Sequence, residues 1–267
     1  MVQVVNPTAY PDLNLVLGEL VASVRTILAE NFCGAYLQGS FALGDADRHS
    51  DVDFLIVSND DVSDEQLREL QAMHEGIYGL DVPWAQHLEG SYLPKDLLRL
   101  VDRSRRPFLF LDNGERELIW DNHCNSAWVR WIMREHGIVL EGPQPETLVE
   151  AVSAAELRRE ALAAVREYAE WAPEATKAGP MSRWKQPYLV LTFCRLLHTL
   201  SEGRVASKRE AAEWALRTLD PRWAALIQRA LDERPDPWGR VHQRADPELV
   251  ARTLAFADYA LRNAPPV

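Results

Sequence analysis

Cysteine is scarce in this sequence: Cys33, Cys124 and Cys194 are the only three among 267 residues. An odd number at wide spacing, with no C-x-x-C pair, indicates neither a disulfide framework nor a cysteine-built zinc site. Long apolar runs are lacking as well. The longest, Tyr188 to Cys194, falls far short of the ~20 residues that cross a bilayer, so no membrane partner is expected. Met1 to Asn14 contains no basic stretch followed by an apolar one, so no secretory leader is expected and the location expected is the cytoplasm. Positive charge is in deficit, with 29 Lys and Arg against 40 Asp and Glu, a formal charge of -11. Lysine itself occurs only four times. This balance disfavours general binding to nucleic acid, and it suits either plain solubility or a cationic small substrate.

What is present describes an ordinary globular protein. Apolar residues make up 47% and charged residues 26%, enough to bury a core without metal or disulfide staples. The length suggests two domains. Asp12 to Glu30 carries Leu13, Val16, Leu17, Leu20, Val21, Val24 and Leu28 at helical spacing. A strand is predicted at Ala35 to Leu37, then a short helix or turn over Phe41 to Ala46, then a strand at Val52 to Val57. Ser63 and Gln66 form a capping-box pattern opening a helix to about Tyr78. A weaker strand is expected over Trp84 to Leu93, a short helix over Leu97 to Val101, and a helix over Ser126 to His136. Arg103 to Leu118 gives mixed signals and no assignment. Beyond the break at Gly142-Pro143 the pattern is helical only. Helices are expected at Ala154 to Trp171, Gln186 to Ser201, Lys208 to Thr218, Pro221 to Glu233 and Pro247 to Asn263, with a break over Pro173 to Pro180. The nine tryptophans are read mostly as core.

One constellation carries chemistry. Gly39-Ser40-Phe41-Ala42-Leu43-Gly44 is followed, six residues later, by Ser50-Asp51-Val52-Asp53. Residues two apart on a strand share a face, so Asp51 and Asp53 would present two carboxylates to one region. Like charges held that close call for a hard divalent cation, and magnesium carrying a triphosphate fits best. Gly39-Ser40, at the end of a strand, would offer backbone N–H groups and a hydroxyl to phosphate oxygens. His49 is expected exposed in its loop, and His123-Cys124 has no partner at metal-ligand spacing.

G-S-x-x-x-G followed by S-D-x-D at the head of an apolar strand resembles the signature of the DNA polymerase β-like nucleotidyltransferases. The resemblance implies Ser40 on the triphosphate, Asp51 and Asp53 on two magnesium ions, and Ser50 as a further phosphate contact. A third carboxylate would come from Asp81, expected in a loop, or from Glu89. The latter is favoured, because His87 to Pro94 resembles the strand that carries the catalytic base in the streptomycin/spectinomycin adenylyltransferases. Glu89 is then both base and metal ligand. Segments around Arg134 to Pro143, Leu191 to Arg195, Gly203 to Lys208 and Ala212 to Ala215 also resemble that group, and imply Arg195 and Lys208 as contacts to the nucleotide phosphates. In its streptomycin-modifying members an aspartate binds the cationic antibiotic, where this sequence has Lys185; Trp171 or Trp184 could supply an aromatic wall.

The expectation is an α+β protein: a nucleotidyltransferase domain with a mixed sheet over 1–150, and an all-α helical bundle over 151–267 closing the active-site cleft. The activity expected is transfer of AMP from Mg-ATP to a hydroxyl of a small, aminoglycoside-type acceptor, by a monomer. AMP transfer to a protein partner, or a non-catalytic nucleotide-binding regulator, are the alternatives.

Overall fold

A computed structural model describes residues 6–177, 179–235 and 237–265. The chain divides into two units, 1–152 and 153–267. The first is α+β. Helix α1 (Pro11–Leu28) begins at its proline, which supplies the fixed φ of a first helical position. Its Leu13, Val16, Leu17, Leu20, Val24 and Leu28 are all buried. Strand β1 (Phe32–Leu37), the short helix α2 (Gly39–Ala42) and strand β2 (Val52–Ser58) follow. Helix α3 (Asp64–Tyr78) opens on a complete capping box between Ser63 and Gln66. Then come β3 (Leu88–Pro94), α4 (Lys95–Leu98), β4 (Phe108–Leu111), β5 (Leu118–Asp121), α5 (Ala127–His136), β6 (Ile138–Glu141) and α6 (Pro145–Leu148).

The six strands form one mixed sheet in the order β5-β4-β3-β2-β1-β6. β2 and β3 are its parallel pair, and the other neighbours run antiparallel. Alternation sorts the side chains. Val52, Phe54 and Ile56 of β2 pack with α1, while Leu55 and Val57 join Phe108, Phe110, Cys124 and Met133 on the other face. Burying each such Leu, Val or Phe contributes about 1.5–3 kcal/mol. Beside this second layer lies the buried guanidinium of Arg130, which donates to the carbonyls of Leu97, Leu98 and Ser126.

The second unit is helical: α7 (Ala154–Lys177), α8 (Lys185–Glu202), α9 (Lys208–Thr218), α10 (Ala224–Asp232) and α11 (Pro247–Asn263). α8 is its central element, with residues such as Leu189, Val190, Phe193, Cys194 and Leu197 buried. It stops at Gly203, whose φ of 69° is the left-handed cap that glycine adopts without a steric penalty.

Several local expectations are corrected. The strand expected from Trp84 begins at Leu88, because Pro83 starts a 3-10 turn over Pro83–Gln86. The unassigned stretch, Arg103 to Leu118, holds β4 and ends where β5 begins. Helix α7 runs through Pro173 to Lys177 instead of stopping at Trp171. A proline removes one N–H, and here the buried Ala172 holds the helix to the core while the Thr176 hydroxyl donates to the Pro173 carbonyl. Trp84 and Trp223 are buried, but Trp120 and Trp171 are exposed, so the tryptophans are not mostly core.

Candidate active site

The C-terminal end of β1 and the N-terminal ends of β2 and β3 build the site in the first unit. Gln38, at the end of β1, donates its N–H to the Asp53 carbonyl at 2.9 Å. Gly39 then turns with φ 57° and passes so close to Asp53 that a Cβ there would lie 1.9 Å from Asp53 Oδ2. The glycine and the aspartate of the two motif halves are thus in direct contact. The next hydroxyl, Ser40 Oγ, is buried and has no hydrogen-bond partner among the described residues. The loop returning to β2 is closed by Ser50, whose buried hydroxyl accepts the Asp47 N–H at 2.9 Å. His49 is exposed.

Asp53 of β2 and Glu89 of β3 are register partners across the parallel pair, at the ~4.8 Å spacing of adjacent strands. Both are half-buried. Asp51 stands one residue before β2 and accepts from Asn113 Nδ2 at 2.5 Å. Asn113 also meets His87 Nδ1 at 3.2 Å. Glu89 Oε1 lies 3.3 Å from His123 Nε2. The hydrogen bond to Glu89, helped by the charges of Glu89, Asp53 and Asp121, raises the His123 pKa against the opposing effect of burial. Burial pushes the neighbouring Cys124 thiol up to about 12, so it stays protonated. Asp81 is exposed in the turn after α3, away from any strand. Asn113 is not singled out in the sequence, and His123 is read there as carrying no site. Neither sits in a motif, and both arrive from the β4–β5 hairpin, whose strands the pattern did not reveal.

The donor chemistry fits magnesium. Three carboxylates and a hydroxyl are all hard oxygen ligands, and magnesium is commonly held by one or two carboxylates with the rest from phosphate and water. Among the described residues no group of three or more His, Cys, Asp or Glu side chains is placed to hold a metal ion, so magnesium here would need ligands from phosphate and water. The orphaned Ser40 hydroxyl fits a phosphate oxygen, since a buried donor without a partner costs about 1–3 kcal/mol.

In the second unit the remaining sequence-selected residues gather around Tyr188. Trp184 stacks on it with centroids 5.2 Å apart. Lys208 Nζ lies 5.6 Å from its ring centre, and its hydroxyl is 3.1 Å from that of Tyr168. Lys185 Nζ sits 5.0 Å from the ring centre of Trp171, itself edge-on to Tyr168. Arg195 Nε donates to the Ala206 carbonyl at 3.1 Å, tying α8 to the chain entering α9. Burial, foremost, raises the Tyr188 pKa, and the Arg195 charge partly offsets it. Trp171, Trp184, Lys185, Arg195 and Lys208 thus belong to one aromatic and cationic patch, centred on two tyrosines that the sequence did not single out.

Comparison with known proteins finds two family models that match separate parts of the chain. Residues 21–102 match the nucleotidyltransferase domain, and residues 147–261 match the C-terminal domain of aminoglycoside adenylyltransferase. A spectinomycin 9-adenylyltransferase of Campylobacter jejuni is 24% identical over 243 residues, covering 86% of this chain and 90% of that protein. The fold is shared with the crystal structure of spectinomycin adenyltransferase AAD(9) from Enterococcus faecialis with ATP and spectinomycin. That likeness has a TM-score of 0.69 at 14% identity and covers 93% of this chain and 99% of the other.

Proposed function

We propose that this chain, a nucleotidyltransferase resembling the aminoglycoside adenylyltransferases, transfers AMP from ATP to a hydroxyl of an aminoglycoside-type acceptor and releases pyrophosphate. The observation that carries the reading is the cross-strand pair Asp53–Glu89, with Gly39 packed on Asp53 and the unpartnered Ser40 hydroxyl beside it.

In this reading Asp51, Asp53 and Glu89 hold magnesium, which when bound neutralises phosphate charge and orients the triphosphate. Ser40 donates its hydroxyl to a phosphate oxygen, and Gly39 lets the backbone approach. Ser50 keeps the intervening loop closed and has its own proton left to donate to phosphate. Glu89 accepts the proton of the acceptor hydroxyl as its oxygen bonds to the α-phosphorus and the bond to the β-phosphate bridge breaks. Arg195 and Lys208 are assigned to the phosphate charge, for which fixed cations are suited. The acceptor wall is assigned to Trp171 and Trp184. Lys185 disfavours acceptors with a second strongly cationic group, so a compact acceptor such as spectinomycin is favoured over a guanidinium-bearing one. Support for the acceptor class comes from the matched C-terminal domain and from the relative acting on spectinomycin.

The test is pyrophosphate release and a mass increase of the acceptor by one AMP, with Mg-ATP and an aminoglycoside panel. Adenylylated spectinomycin supports the reading. ATP-dependent thermal stabilisation with no modified acceptor in the panel rejects the antibiotic substrate while leaving nucleotide binding in place.

A further inference from the structure

A carboxylate that must take a proton from a bound hydroxyl has to be aimed, and a glutamate has three torsions to lose. Two constraints meet at Glu89. Its register partner Asp53 carries a like charge, which drives the two carboxylates apart. Against the same carboxylate stands His123, with Nε2 at 3.3 Å from Oε1.

His123 is itself held firmly. Its ring stacks on Phe110 of β4, centroids 5.0 Å apart and planes at 24°. Its backbone N–H donates to Asp121 Oδ1 at 2.7 Å, which fixes the turn leaving β5. The following residues are anchored as well: Cys124 is buried, and the buried Asn125 donates through Nδ2 to Asp102 and to the Arg106 carbonyl. A ring so placed has one free nitrogen aimed at one carboxylate oxygen, and a neutral imidazole with its proton on Nε2 is sufficient to donate.

We propose that His123 is the positioning residue for Glu89: its Nε2–H grips Oε1, offsets the repulsion from Asp53, and leaves Oε2 to face the acceptor hydroxyl. The proposal rests on the assignment of Glu89 as the base in AMP transfer. An ion pair on an open surface would contribute little to stability, and the His123 side chain is 57% exposed, so the contact matters for aim and not for folding.

The experiment compares His123→Ala, His123→Gln, Glu89→Gln and the double variant His123→Ala/Glu89→Gln. AMP transfer is followed by steady-state kinetics, Mg-ATP binding by calorimetry, and stability by thermal unfolding. His123→Ala is expected to lower kcat by about 10–100-fold, the usual cost of losing such an orienting partner. Both KM values, Mg-ATP affinity and the unfolding midpoint should hold. His123→Gln, whose amide N–H can replace Nε2–H, should recover part of the loss. In the Glu89→Gln background His123→Ala should cost nothing further, because the two act as one unit. Unchanged kcat, an equal cost in both backgrounds, or a lowered midpoint with raised KM would overturn the proposal.

A second measurement separates this idea from the functional reading. In the ligand-free protein, long-range 1H–15N spectra at one fixed pH identify the His123 signal by its loss in His123→Gln. That signal must move in Glu89→Gln, whether or not any acceptor is modified. A signal that stays in place overturns the contact itself, whereas a wild-type protein with no AMP transfer overturns only the reading of the reaction.

Discussion

Gly39 and Asp53 are in van der Waals contact across the turn from β1, and a Cβ on the glycine would lie 1.9 Å from Oδ2 and 2.4 Å from Cγ of the aspartate. The two halves of the motif are therefore one object. Gly39 also has φ 57°, a conformation costing roughly 1–2 kcal/mol for a residue with a Cβ. Gly39→Ala should lower the unfolding midpoint by several degrees and reduce AMP transfer at least a hundredfold. A variant with near wild-type kcat would show that Asp53 can move aside without consequence, and would sink its placement at the reacting phosphate.

The three acidic positions should separate by assay. Asp53→Asn is expected to abolish both turnover and magnesium-dependent nucleotide binding. Glu89→Gln should remove turnover, by about 100-fold or more as for loss of a general base, while ATP still binds. Asp81→Asn, altering an exposed turn residue, should leave kcat and KM within twofold. If Asp81→Asn instead produced the Glu89→Gln pattern, the base would be misassigned.

Asn113 predicts a different signature. Its amide holds Asp51 and it is in turn met by His87, so it orients a metal ligand and not the base. Asn113→Ala should raise the magnesium concentration needed for half-maximal rate by roughly tenfold, with kcat at saturating magnesium largely kept. A drop in kcat that magnesium does not restore would contradict this division of labour.

How far the sequence disclosed this arrangement depends on the kind of signal each residue carries. Helices α9 and α11 begin at Lys208 and Pro247 and end at Thr218 and Asn263, where capping and breaker residues place them. β2 is legible because Val52 to Val57 is a dense apolar and branched run with Asp51 and Asp53 at its start. β4 and β5 are four residues each, too short to establish a period, so the hairpin that delivers Asn113 and His123 was invisible. Asn113 meets Asp51 across 62 residues of chain, and no local pattern encodes such a meeting. Tyr188 escaped notice for another reason: it sits in the apolar run of α8, where an aromatic residue reads as core, yet its flanks carry Trp184 and Lys208.

Lys185 offers a test of acceptor choice. Its ammonium lies over the Trp171 ring, an attraction of about 0.5–1 kcal/mol at an exposed site. Lys185→Asp replaces a cation by an anion on the assigned acceptor wall. The ratio of kcat/KM for a guanidinium-bearing acceptor to that for spectinomycin should rise about tenfold or more, with KM for ATP unchanged. A ratio that does not move would remove Lys185 from the acceptor site.

The last prediction concerns acid stability. His74 is buried beneath the sheet, its Nε2 2.7 Å from the Tyr92 hydroxyl and its ring stacked on Phe54. Its Nδ1 has no partner among the described residues. Burial lowers its pKa from 6.5 to about 3. Between those two values the unfolded chain binds a proton at this position that the folded chain refuses. Stability attributable to His74 is therefore complete above pH 6.5 and declines as the pH falls towards 3, by about 1.4 kcal/mol for each unit. Chemical unfolding at a series of pH values from 7.5 down to 4.5 should show that slope in the wild type. His74→Gln, which cannot ionise and keeps a polar group near Tyr92, should be less stable at pH 7.5 but flatter through the same window. Equal slopes in the two proteins would mean that His74 takes up its proton without unfolding the sheet, and that other groups drive acid denaturation.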